Sequence, residues 1–274
     1  MSSAAGGERL SLNQMTIPRW TVREAVDGCA RHGIRHLGLW REKVAECGID
    51  ASVRTARDAG VAISCLCRGG GFPAATAAER RARIDDNRQA IDEAAALGGA
   101  TLVLVCGPLA GRDIDGARRM VEDAIAELAP YAAERGVPLA IEPLHPMFAA
   151  DRSVVATLAH ATAIAERFPA DQVGVLVDAY HVWWDPTVYA EIARAGPRIF
   201  GFHISDWIVP LPDVLFGRGM MGDGVIELRR LRRAVDAAGY AGPVEVEIFN
   251  RTINGMPGDD VLALMKERYL THVA

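Results

Sequence analysis

Lysine is almost missing from this chain: among its 30 basic residues only Lys43 and Lys266 carry an amine. Schiff-base chemistry would have to use one of those two positions. Cysteine is scarce as well. Cys29, Cys47, Cys65, Cys67 and Cys106 are odd in number and contain no CxxC, and a chain of 274 residues needs no disulfide staples. A reduced interior and a cytoplasmic setting are therefore expected. No apolar run reaches the roughly 18 residues of a membrane span, and the start, Met1 to Arg9, lacks the apolar stretch of a signal peptide, so no membrane partner is expected. Positive charge is not in excess. A net charge of -5 gives no electrostatic reason to expect nucleic acid. No glycine-rich GxGxxG follows the first apolar run, which counts against a dinucleotide fold.

What is present is enough apolar sequence for a large core, 50% hydrophobic against 24% charged. Short apolar runs alternate with longer amphipathic stretches throughout. The runs predict strands over residues 10–16, 36–40, 61–66, 101–106, 139–142, 173–178, 199–205 and 244–249. Between them lie helical patterns over 21–31, 49–59, 76–97, 115–135, 153–168, 186–194, 226–238 and 259–270. Their punctuation agrees: Thr21 with Glu24 has capping-box spacing, and Gly60, Gly98-Gly99, Gly136 and Gly239 follow helix ends. Eight β–α units in strict alternation imply parallel strands joined by right-handed crossovers. A single (β/α)8 TIM barrel, typically about 250 residues, is expected over 1–274, with no linker.

Such a barrel carries its site on the C-terminal ends of its strands. Four consecutive strands deliver metal-ligating or acid/base residues there: Glu142 in AIEPLHP, Asp178 and His181 in VDAYH, His203 in FHISD, and Glu245 and Glu247 in VEVEIF. Each has a plain reading alone, as a loop salt bridge, a core histidine or a helix cap. Together, unpaired carboxylates crowded on one rim would repel one another, and a divalent cation removes the conflict. Two or three carboxylates plus one imidazole form a ligand set that suits Mn²⁺, Mg²⁺, Co²⁺ or Zn²⁺. His145, three residues past Glu142, and Trp183 beside Trp184 are candidates to line a pocket. Trp40, Arg41 and Lys43 also fall on the rim, while Cys65 and Cys67 share a strand face and read as packing.

The segments IEPLHP, VDAYH, FHISDW, GDGVIEL and GYAGPVEVEIF resemble the xylose isomerase-like TIM-barrel superfamily, over essentially the whole chain. That superfamily includes ketose 3-epimerases, hydroxypyruvate isomerase, inosose dehydratase and the endonuclease IV branch. The resemblance implies one metal on Glu142, Asp178, His203 and Glu247, with Glu142 and Glu247 as an acid/base pair on opposite faces of the substrate. It implies that His181 contacts a substrate oxygen near the metal. Arg218 is its candidate for a substrate-binding arginine after the seventh strand, though at an offset unlike the family's usual one. The activity implied is a metal-dependent isomerase or epimerase of carbohydrate metabolism, moving a proton α to a carbonyl on a small sugar or polyol through a metal-stabilised enediolate. An inosose-type dehydratase is the alternative; an endonuclease IV-like phosphodiesterase and a non-catalytic sugar-binding barrel stand behind it. Members of the family are commonly dimers or tetramers, so a homo-oligomer is expected.

Overall fold

The computed structural model of the chain describes residues 7–274. Its eight parallel strands are β1 (Leu10–Asn13), β2 (His36–Trp40), β3 (Ala62–Gly70), β4 (Thr101–Val105), β5 (Leu139–Glu142), β6 (Val173–Asp178), β7 (Ile199–Ile204) and β8 (Val244–Val246). They close a barrel in which β1 pairs with both β2 and β8, Leu10 beside Val244. Helices run between the strands, as the alternation predicted. Among the described residues no helix is long and apolar enough to cross a membrane.

The strands β2, β5 and β6 keep the bounds expected from sequence, and the differences elsewhere have local causes. β1 stops at Asn13 because the Asn13 side chain accepts from the Met15 N–H and starts a 3-10 turn over Gln14–Thr16. Helix Leu158–Ala165 is half the length of the predicted stretch. Residues 153–155 are spent instead on two neighbouring loops: the Val154 N–H donates to Gly107, and Val155 accepts from Leu144. β3 runs four residues past its predicted end, to Gly70, through a bulge at Arg68. The short helix Arg41–Cys47 and a two-stranded ribbon, Asp206–Trp207 against Arg218–Gly219, were not anticipated.

Burial follows two layers. The outward faces of the strands pack against the helices in a continuous core from Leu10 to Val273. Inside the barrel, Trp40, Cys65, Cys67, Val103, Ala140 and Leu176 form a separate cluster. Several of these side chains are small, and the space they leave is taken by a polar column of Ser11, Asn13, His203 and Glu245, all buried. Polar groups that deep must be partnered, and their partners lead upward to the site.

Candidate functional site

Strand register assembles the site. Asp178 of β6 lies beside His203 of β7, and His203 lies beside Glu245 of β8. Side chains alternate along a strand, so Glu245 and Glu247 both point inward, Glu247 one step nearer the mouth. Glu142 ends β5. One ligand atom from each of Glu142, Asp178, His203 and Glu247 lies within 4.8 Å of the others, and all four residues are buried. These are the four residues that the sequence marked as a ligand set.

Arg218 enters this group from the ribbon. Its Nη1 is 2.8 Å from Asp178 Oδ2 and 3.0 Å from Glu247 Oε2, and its Nη2 is 3.0 Å from His181 Nε2. The guanidinium lies over the rings of Tyr180 and Phe249, at 4.7 and 5.2 Å. Three carboxylates thus crowd round one guanidinium in a buried space. The consequence falls on Glu142: burial, Glu247 and Asp178 push its carboxyl up to about 8. Burial also works against the Asp178 charge, but Arg218, His181 and His203 outweigh it and hold that carboxyl below its usual range.

The donor set fits a divalent ion. His203 Nδ1 is buried and accepts or donates no hydrogen bond; its nearest carboxylate, Glu247, is 3.8 Å away. An orphaned ring nitrogen aimed at carboxylates is the geometry of an imidazole ligand, and a dication would offset the mutual repulsion of the carboxylates. Glu142, Asp178, His203 and Glu247 could therefore hold a divalent metal. Cys65, His203 and Glu245 form a second such group below it. There the Glu245 carboxylate is already supplied, accepting from Ser11 Oγ at 2.9 Å, Asn13 Nδ2 at 2.8 Å, Ser64 Oγ at 2.5 Å and Cys65 Sγ at 3.3 Å. The contact with Cys67 and burial push the Cys65 thiol well up, so it stays a donor. That lower group is a hydrogen-bond network under the upper one.

Comparison with known proteins agrees with this architecture. The family model for the xylose isomerase-like TIM barrel matches residues 26–268. The chain belongs to that family. Protein SMc04130 from Sinorhizobium meliloti is 50% identical, with a TM-score of 0.95 over 97% of this chain and 98% of that one. The structure of IolI protein with a binding zinc atom superposes with a TM-score of 0.85 at 20% identity, over 97% of this chain and 98% of its own, a likeness of fold. A 3-dehydroshikimate dehydratase of Pseudomonas aeruginosa is 30% identical over 166 residues, 58% of this chain and 25% of that protein. The chain thus spans about a quarter of the length of that relative.

In this xylose isomerase-like barrel the cavity above the four ligand candidates is walled by Trp40, Phe148, Tyr180, His181 and Phe249, with Arg218 and Glu247 at its floor. Burial lowers the His181 imidazole to about 3, Asp178 opposing and Arg218 reinforcing the effect, so the ring is neutral. Two residues expected in the pocket are not among those lining it. His145 packs against Trp184 and Trp207, with centroids 5.4 and 5.1 Å apart, and it is its backbone N–H that serves the site, donating to His181 Nδ1 at 3.2 Å. Trp183 packs on Trp207 at 5.5 Å. In both cases the ribbon residue Trp207 attracts the ring, a contact no local pattern announces. Of the rim residues, Trp40 lines the cavity, whereas Arg41 pairs with Glu93 and Asp86 and Lys43 with Glu46. The sequence reading missed Arg68, Arg152 and the supporting role of Glu245. Only Glu245 left a signal, its shared parity with Glu247.

Proposed function

We propose that this chain is a divalent-metal-dependent isomerase or epimerase acting on a small polyhydroxy carbonyl compound, with Glu142 and Glu247 as its proton-transfer pair. The observation that carries the reading is the convergence of four ligand atoms within 4.8 Å around the unpartnered Nδ1 of His203. Glu142, Asp178, His203 and Glu247 would hold the cation. When bound, it supplies Lewis-acid stabilisation of the negative charge that develops on a carbonyl oxygen.

The chain's own residues do the rest. Glu142 and Glu247 stand on strands three apart in the barrel, so a substrate between them meets a carboxylate on two sides. One removes the proton α to the carbonyl; the other returns a proton to the opposite face of that carbon, or to its neighbour. The neutral His181 ring lines the cavity between the His145 N–H, 3.2 Å from Nδ1, and Arg218 Nη2, 3.0 Å from Nε2, and positions that guanidinium beside the ligand group. Trp40, Phe148 and Phe249 keep water from the carbanion.

The likeness to a 3-dehydroshikimate dehydratase favours one further reading, a lyase that uses the same base to expel a β-hydroxyl instead of reprotonating. A screen of ketoses, inososes and 3-dehydroshikimate with Mn²⁺, Mg²⁺, Co²⁺ or Zn²⁺ in heavy water separates the two. Deuterium gained α to the carbonyl without loss of water marks an isomerase or epimerase; release of water marks the lyase. A Glu247→Gln variant with unchanged turnover would remove Glu247 from the mechanism.

A further inference from the structure

We infer that the mouth of the cavity holds an anion subsite, formed by Arg68 and Arg152, that receives a carboxylate or phosphate group of the substrate. The inference rests on the proposed reaction only for what happens at the substrate's other end. Both arginines line the same cavity as Glu142, His181 and Glu247. Neither was marked by the sequence pattern, and the fold brings each there by a specific device.

Arg68 is the extra residue of the β3 bulge: Cys67 pairs with Val103 and Gly69 with Leu104, so Arg68 has no place in the register. With Cys67 inside the barrel, strict alternation would turn Arg68 out toward the helices; a bulge re-aims the side chain. The strand end is then clamped by Asn87, which accepts from the Gly70 N–H at 2.6 Å and donates to the Gly70 carbonyl at 2.8 Å. Arg152 follows the turn Pro146–Phe148, its N–H donating to the Phe148 carbonyl at 2.9 Å and its guanidinium 5.7 Å from the Phe148 ring.

Among the described residues, neither guanidinium has a carboxylate within ion-pair distance or a hydrogen-bond acceptor. Arg41 and Arg218, by contrast, each have two carboxylate partners. Arg68 is exposed and Arg152 half-buried; burial and repulsion from Arg68 and Arg218 lower the proton affinity of Arg152, with Glu142 and Asp151 opposing. A half-buried cation facing like charges costs stability unless something pairs it. Guanidinium forks match the oxygens of carboxylate and phosphate. A neutral sugar would leave them unpaired. The acidic floor repels the same anion, so the arrangement also orients the substrate, charged end to the mouth and carbonyl to the glutamates.

The test is calorimetric binding to the Mg²⁺-loaded protein, using D-fructose, D-fructose 6-phosphate, acetate and inorganic phosphate as probes. The anions are expected to bind more tightly than fructose at low salt. Arg68→Gln and Arg152→Gln are each expected to weaken anion binding by roughly 10- to 100-fold, with Arg152→Lys in between and fructose binding unchanged. The ratio of phosphate to acetate affinity tells which oxyanion the subsite prefers. Thermal unfolding of each variant checks that the barrel is intact. Anion binding that is absent, or that survives the double Arg68→Gln/Arg152→Gln change, overturns the inference. Glu247→Gln separates the two claims: it tests turnover, and it leaves Arg68 and Arg152 in place to bind anions.

Discussion

Nε2 of His203 lies 3.4 Å from Oε1 of Glu245, while Nδ1 of the same ring faces Glu247, so two glutamates of one strand bracket a single imidazole. Burial opposes charge on this ring, but Glu245 and Glu247 outweigh it and raise its proton affinity well above that of a free histidine. Glu245 is held still by Ser11, Asn13, Ser64 and Cys65, and it fixes the ring so that Nδ1 presents to the ligand group. Carboxylates behind a ligating histidine are typically worth about 10- to 100-fold in metal affinity. Glu245→Gln should therefore weaken Co²⁺ or Zn²⁺ binding by that factor in chelator competition and alter the visible spectrum of the Co²⁺ form. Unchanged affinity and spectrum would reduce Glu245 to a packing residue.

Gly38 of β2 has a role set by the same carboxylate. A β-carbon there would overlap Glu245. The buried carboxylate cannot retreat without losing its donors, so Gly38→Ala should cost about 1–3 kcal/mol in urea unfolding, the range for overpacking a dense interior. Metal affinity should fall with it, because a displaced Glu245 no longer steadies His203. Loss of stability with full metal affinity would uncouple the two.

The fold was legible in the sequence because eight strand–helix units leave few ways to pack, and buried parallel strands such as Val173–Asp178 read as apolar runs with clear ends. Glu142, Asp178, His203 and Glu247 were legible for a related reason: the end of a barrel strand is a known place in space. Arg68 was hidden because its position depends on a bulge, which changes side-chain parity without any residue signature. The pull of Trp207 on His145 and Trp183 was hidden because it spans a loop longer than any periodic pattern. Sequence placed what the strands carry. It did not place what loops bring across the mouth.

Metal uptake should be linked to protons. In the metal-free protein Glu142, at about 8, is largely protonated at neutral pH. A group whose folded pKa exceeds its unfolded value stabilises the fold below the unfolded value and loses that contribution as pH rises through the folded one. Metal-free protein should thus lose stability between about pH 4.5 and 8, whereas a ligating carboxylate must be ionised. Calorimetry at pH 7 in buffers of different ionisation enthalpy should show ~1 or more protons released per cation, with affinity rising with pH. Proton-neutral binding would place the cation elsewhere.

Arg218 touches the two oxygens, Asp178 Oδ2 and Glu247 Oε2, that belong to the ligand group, so it acts there as both partner and rival of a cation. In the metal-free protein it is the fixed positive charge between Asp178 and Glu247. Removing one member of a buried ion pair costs about 3–5 kcal/mol because the others are left uncompensated. Arg218→Gln should lower the metal-free unfolding midpoint accordingly. It also makes the group more negative and frees both oxygens, so Mg²⁺ or Mn²⁺ should bind the variant more tightly and raise its midpoint by more than in the unaltered protein. The two shifts have opposite signs and one cause. A variant destabilised without any larger gain from the cation would show that Arg218 only packs between Tyr180 and Phe249.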